Sequence, residues 1–440
     1  MKLDFAKCHR LLEKTNTITT HGKVSEIIGL MVEGYGPAAS IGDVCGIFPH
    51  GEEKFLTAEV VGFRQGKVLL MPLESMQGLG PGCKITALGR KASVIVGREL
   101  LGRVVDGLGN AIDDKGIINF EEEYPIYAEP INPLQRQRID TPMDLGIRAM
   151  NGLFACGKGQ RLGLFSGSGV GKSVLMGMIA KNTKADVNVI GLIGERGREV
   201  REFLEKNLGT VGLARSVVVV SASDMHPLIR MRAAYVATTI AEYFRDQGAD
   251  VLLMVDSLTR FAMAQREIGL SVGEPPTTKG YTPSVFSLLP KLLERSGTVQ
   301  GKGSITGLYT ILVEGDDFNE PIADAARSIL DGHISLSRDL ANKNHYPAID
   351  ALKSISRVMV DIVDNEHRKK AGDIMNILAT YNKAEDLINI GAYVKGSNPE
   401  IDYAISMIAR VNAFLKQDME ESVGFDRAKQ ELLSLFEPSH

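Results

Sequence analysis

The octapeptide Ser166-Gly167-Ser168-Gly169-Val170-Gly171-Lys172-Ser173 constrains the fold more than any other stretch of this chain. It lies between an apolar run at 161–165 and a helical pattern at 172–181. Glycines there let the backbone turn its N–H groups inward around phosphate oxygens, and the helix that follows adds the positive end of its dipole. Lys172 is placed to reach terminal phosphates and the Ser173 hydroxyl to hold Mg²⁺, as in the pattern GxxxxGK[ST]. Ser166 stands where that pattern has its first glycine. A dinucleotide-binding turn does not fit, because Lys172 occupies the third glycine position of GxGxxG. An ordinary glycine-rich turn is the bland alternative, and the flanking strand and helix speak against it.

Such a turn belongs to a larger pattern. Apolar runs at 161–165, 187–193, 217–220, 251–255 and 305–313 alternate with helical periodicity at 172–181, 199–207, 229–246 and 258–268. This alternation predicts an α/β core, a parallel sheet covered by helices on both faces. Between about 22 and 88, short Val/Ile/Leu-rich runs broken by Gly-Pro, Pro-His-Gly and Pro-Gly read as a small antiparallel barrel or sandwich. Residues 92–150 are so densely punctuated by Gly and Pro that they read as a loop-rich lead-in to the core. After 354 the periodicity is helical, with Gly391 and Gly396 marking a loop, and a short basic amphipathic pattern at 1–16 suits one helix. A chain of 440 residues has room for about three domains, and the expected divisions fall at 1–21, 22–91, 92–353 and 354–440.

Two strand ends carry carboxylates. The run 251–255 ends in Asp256, on the side of an open α/β sheet where ligands bind, so its carboxylate can support the water shell of Mg²⁺. The run 187–193 leads into Gly194-Glu195-Arg196-Gly197-Arg198-Glu199. Glu195 is suited to orient water toward a terminal phosphate, and a solvated charge cluster at a helix start is the equal alternative on local sequence. By spacing alone Arg357 reads as a surface helix cation and Tyr346 as a packed aromatic.

Charge and cysteine usage exclude several classes. Fifty Lys and Arg against 54 Asp and Glu give a net charge of -4, and residues 21–100 carry eight of each sign, so the footprint of a nucleic-acid binder is missing. The cysteines at 8, 45, 83 and 156 are too far apart for a CxxC pair, which suits a reducing cytosol. No apolar run approaches the ~18 to 20 residues of a membrane span.

In order and spacing, 166–173, 194–199, 251–256, Tyr346-Pro347-Ala348 and Ser354-Ile355-Ser356-Arg357 resemble the motifs of the F-type and V-type rotary ATPase superfamily, over roughly residues 22–420. Within it, Gly273-Glu274-Pro275-Pro276-Thr277-Thr278-Lys279-Gly280-Tyr281-Thr282-Pro283-Ser284-Val285-Phe286, with 256–262 and 385–393, looks like the flagellum-specific ATPases of the type III protein export apparatus. The resemblance implies a hexameric RecA-like P-loop core with a parallel sheet, an N-terminal β-barrel joining subunits and a C-terminal helical domain. It implies ATP and Mg²⁺, with Ser166, Gly167, Ser168, Gly169, Val170, Gly171, Lys172 and Ser173 on the phosphates and Ser173 and Asp256 supporting the metal. Glu195 becomes the catalytic carboxylate, Arg196 a neighbour of the γ phosphate, and Arg357 the arginine finger supplied by an adjacent subunit. Tyr346 matches the aromatic that packs on adenine, and Tyr393 is expected in the same pocket.

The implied function is ATP hydrolysis in flagellar type III export: release and unfolding of substrates and chaperones, and their delivery to the export gate. Implied partners are copies of the same chain, the export regulator and stalk proteins, the gate, and substrate–chaperone complexes, at the cytoplasmic face of the inner membrane. Only about 20 residues precede the barrel, so a regulator-binding helix would be short. The rival readings are an injectisome ATPase with the same chemistry and a rotary synthase catalytic subunit, against which 273–286 speaks. A hexameric nucleic-acid translocase lacks its basic footprint here, and a noncatalytic ring subunit would lack Glu195.

Overall fold

The computed structural model describes residues 20–119, 122–313 and 317–437, and the basic amphipathic pattern at 1–16 lies outside them. β1 (His21–Ile28), β2 (Met31–Tyr35), β3 (Asp43–Phe48), β4 (Leu56–Arg64), β5 (Lys67–Pro72) and β6 (Lys84–Lys91) pair antiparallel in the order β1-β2-β5-β4-β3-β6. β6 closes onto β1, so the unit is a barrel and not a sandwich. Inward residues Val24, Val32, Cys45, Ile47, Leu70 and Ile85 fill it, and closure leaves no open strand edge.

The core sheet contains β7 (Val104–Asp106), β8 (Arg161–Ser166), β9 (Val187–Glu195), β10 (Ser216–Ala222), β11 (Asp250–Asp256), β12 (Ser304–Leu312), β13 (Gly332–Ser335) and β14 (Ile355–Ser356). Their order is β14-β13-β8-β12-β11-β9-β10-β7, parallel throughout except where β14 meets β13. The central strands are buried on both faces, which is why they read as unbroken apolar runs. α1 (Lys172–Asn182) covers one face; α2 (Pro227–Asp246), α3 (Leu258–Val272) and α4 (Pro283–Leu293) cover the other. Strand side chains divide between them by alternation: Leu253 and Val255 join one core, Leu252 and Met254 the other.

Two local expectations need correction, and one helix carries no clear pattern in the sequence. The lead-in is not all loop, because Val104 and Val105 pair with Val218 and Val219 and add β7 to the sheet. The helix expected at 199–207 runs α-helically over Gly197–Glu202 and then widens to a π-helical turn at Phe203–Leu208, which keeps both Phe203 and Leu208 buried. α4, which tolerates Pro290 near its end, went unread because proline breaks the helical pattern.

After residue 364 the chain is mainly helical: α5 (Asn365–Asn389), α6 (Pro399–Leu415) and α7 (Phe425–Ser434). Asp364 caps α5 by accepting from His367 N–H, and Asn398 caps α6 by accepting from Glu400 and Ile401 N–H. Ile374, Ile377, Met407 and Phe414 share one core with Leu175, Met176 and Ile179 of α1, and the C-terminal helices pack directly on the short helix at Arg148–Leu153 that lies before the glycine-rich turn.

On the opposite face the fully buried Arg295 ties α2 to the lead-in. Its guanidinium donates to Glu242, to Thr239 Oγ1 at 2.9 Å and to Ile126 O at 2.5 Å. Removing one partner of a buried pair strands the other, so Glu242→Ala is expected to cost about 3–5 kcal/mol, read as a lowered urea midpoint, whereas replacing both Arg295 and Glu242 with Met costs much less.

Candidate active site

Strand order brings the candidate residues together. β8, β12, β11 and β9 are consecutive neighbours, so Ser166, Asp256 and Glu195 emerge side by side at the carboxyl end of the sheet. In open α/β sheets this is the ligand crevice. The turn after β8 places Gly169 at φ 75° and Gly171 at φ 90°, a left-handed backbone that favours glycine. α1 starts without a side-chain cap, leaving the positive end of its dipole facing the turn.

Lys172, the first residue of α1, reaches across the crevice. Its ammonium donates to Asp256 Oδ1 and lies 3.6 Å from Glu195 Oε1. Thr310 of β12, the strand between β8 and β11, donates to the same Asp256 oxygen at 2.6 Å. Burial pulls the Lys172 pKa down, but Asp256 and then Glu195 outweigh it and hold it above the ordinary lysine value. Glu195 moves up to about 7, chiefly through burial and then the negative charge of Asp256, against the pull of Lys172. A carboxylate poised there is the arrangement expected of a group that handles a proton near neutral pH.

The donor set fits a magnesium nucleotide. Among the described residues no three His, Cys, Asp or Glu side chains converge as a ready-made metal cage. Mg²⁺ is commonly held by one or two protein oxygens together with substrate phosphates, and the Ser173 hydroxyl and Asp256 carboxylate suit that role.

Beside the turn lies a cleft of about 440 Å³ lined by Gly169, Gly171, Val174, Tyr346, Pro347 and Met419, among others. Tyr346 is 42% exposed there, so it is not a packed core aromatic. Tyr393 does not line this cleft: from the loop after α5 its hydroxyl reaches the start of α6, bonding Asn398 O at 3.0 Å and Asp402 Oδ1 at 3.1 Å. Arg196 is exposed and lies 3.6 Å from Glu199.

Arg357 sits at the other end of the sheet. Its N–H donates to Asp331 O, and Asp331 in turn accepts from Arg161, the first residue of β8. Ser166 lies five residues further along that strand, roughly 17 Å away. The exposed Arg357 therefore does not join the phosphate-side cluster of its own chain.

Other residues at the site were not singled out by the sequence, although Arg260 lies within the 256–262 motif. Thr310 is one polar residue in an apolar strand. Arg260 packs along Gly194, where a Cβ would meet its stem at 3.0 Å, and its buried Nε has no partner among the described residues. Arg338 donates to Ser168 O at 3.2 Å. Gln417, Asp418 and Met419 line the cleft from a segment far along the chain.

Comparison with known proteins shows the family. Residues 146–356 match the nucleotide-binding domain of the ATP synthase alpha/beta family, 24–89 its beta-barrel domain, and 363–434 the T3SS EscN ATPase C-terminal domain. The flagellum-specific ATP synthase of Bacillus subtilis is 53% identical over 96% of this chain and 97% of its own. The type 3 secretion system ATPase of Xanthomonas euvesicatoria is 50% identical over 94% of each. The assembled ATPase EscN from the enteropathogenic E. coli type III secretion system superposes with a TM-score of 0.89 at 46% identity, covering 94% of this chain and 99% of that one; EscN has also been solved with its central stalk EscO. This chain belongs to the ATP synthase alpha/beta family, among its flagellum-specific and type III secretion ATPases.

Proposed function

We propose that this chain hydrolyses ATP in a homo-hexameric ring that serves flagellar type III protein export. The observation that carries the reading is the division of one catalytic set between two ends of the sheet: Lys172, Glu195 and Asp256 together, Arg357 apart. A ring of identical copies brings the Arg357 end of one chain to the phosphate end of the next and completes each site.

In this reading the turn at 166–173 cradles the phosphates, Tyr346 packs on adenine, and Ser173 and Asp256 hold Mg²⁺. The metal, when bound, neutralises charge on the β and γ phosphates. Lys172, paired here with Asp256 and Glu195, exchanges those partners for phosphate oxygens. Glu195 orients the attacking water, Arg196 lies near the γ phosphate, and the neighbour's Arg357 meets the charge that develops on it. Hydrolysis would drive release and unfolding of substrate–chaperone complexes and their delivery to the export gate. The ring would contact a stalk protein, as the relative EscN does with EscO, and an export regulator, and would sit peripherally on the cytoplasmic face of the inner membrane. Among the described residues no helix is long and apolar enough to cross a membrane. An injectisome ATPase is the second reading, favoured by the 50% identity to a type 3 secretion ATPase.

Glu195→Gln is expected to keep ATP binding and to lower turnover by about 10²–10⁴-fold in a phosphate-release assay; wild-type turnover would remove its role. Arg357→Ala is expected to lose about 10³-fold or more. Mixing it with Glu195→Gln subunits should restore part of the rate, because mixed interfaces pair an intact Glu195 with an intact Arg357. The pH profile follows from the raised carboxyl: the working, ionised form of Glu195 predominates above its pKa, so kcat/KM should rise with pH through about 7 and then level off.

A further inference from the structure

The Tyr346 wall of the cleft is held in part by the backbone of Gln417, and the Gln417 side chain anchors that backbone to 146–148 and to Glu421. The Tyr346 carbonyl accepts from the Gln417 N–H at 3.0 Å. Gln417 is 6% exposed and its amide is fully used. Nε2 donates to Gly146 O at 2.9 Å and Glu421 O at 2.8 Å, and Oε1 accepts from Arg148 N–H at 2.7 Å. Two carbonyls against the nitrogen and one N–H against the oxygen fix the amide in a single orientation.

The receiving segment is fixed in turn to the end of α1. A Cβ on Gly146 would lie 2.2 Å from Asn182 Cβ, and Thr183 Oγ1 donates to Asp144 O at 3.0 Å. Arg148 Nη1 holds Lys416 O at 2.6 Å, and Asn151 Nδ2 holds Val423 O at 3.0 Å, so both ends of the strap around Gln417 are clamped. The contacts close a circuit from the phosphate turn along α1 to 144–148, through Gln417 to Tyr346. The Tyr346 ring then returns to Gly171, whose Cβ position is 3.5 Å from the ring edge.

We propose that Gln417 is a positioning residue for the nucleotide base: by joining Tyr346 to the segment that braces α1, it sets the spacing between base wall and phosphate turn. The proposal rests on the assignment of this cleft to the base of ATP. Gln417 touches none of the reacting atoms, so its effect falls on recognition of the base and not on the phosphates. Alanine there removes the side-chain donor from Glu421 O and the acceptor from Arg148 N–H and leaves Gly146 O with the Val423 N–H alone, and glutamate sets an acceptor against both carbonyls.

The test compares ATP with inorganic tripolyphosphate, which has the phosphates without the base, in steady-state kinetics of the full chain. Gln417→Ala and Gln417→Glu are expected to raise KM for ATP by about tenfold with a much smaller change in kcat, while inhibition by tripolyphosphate stays within about twofold of wild type. Unchanged KM in both variants would overturn the proposal. So would an equal loss of tripolyphosphate affinity, or a drop in melting temperature that takes every affinity with it, since either assigns Gln417 to folding alone. Tyr346→Ala separates the two levels of the argument: if it leaves KM for ATP unchanged, the base assignment fails and the proposal with it. If Tyr346→Ala raises KM and the Gln417 variants do not, only the role of Gln417 fails.

Discussion

One buried ammonium, Lys172, held between two carboxylates, organises the active end of this molecule. Asp256 and Glu195 come from strands adjacent in the sheet, and Lys172 from the helix that the glycine turn launches across them. A single cation does not fully neutralise two buried carboxylates, so the more remote one, Glu195, binds its proton up to about 7. A phosphate entering the turn competes for the same ammonium. Under the proposed assignment of the turn to phosphate, nucleotide binding and the ionisation of Glu195 are linked through one side chain; Thr310 holds Asp256 by donating to its Oδ1.

The sheet that assembles this trio also excludes Arg357 from it. Parallel strands send all their carboxyl ends one way, and Arg357 follows an antiparallel edge strand, beside the start of β13. The geometry suits a rate-enhancing charge that arrives from elsewhere, which makes turnover conditional on assembly. The closed barrel leaves no free strand edge for non-specific pairing. The C-terminal helices share a core with α1 and pack on the helix at Arg148–Leu153, and the segment that follows α6 supplies the cleft wall at 417–419.

Much of this was legible in the sequence because the chemistry sits at strand ends, where an apolar run stops at a charged residue. Ser166–Ser173, Glu195 and Asp256 all announce themselves in that way. The choice between barrel and sandwich was not legible, since it depends on β1 meeting β6 across the whole unit. β7 was hidden because three residues among many glycines carry too little periodicity, and α4 because of Pro290. Gln417 and Thr310 have no local signature; their partners lie up to 271 and 54 residues away. The expectation for Tyr393 came from resemblance alone, and its hydroxyl is committed to the start of α6.

The claim on which the account rests is that a complete hydrolytic site exists only where two copies of this chain meet. ATPase rate per subunit measured across a dilution series, with assembly followed by light scattering in the same samples, tests it most directly. The account predicts that specific activity climbs steeply as rings form and falls toward the basal rate on dilution. A specific activity that stays at its full value in samples containing only monomer would contradict it.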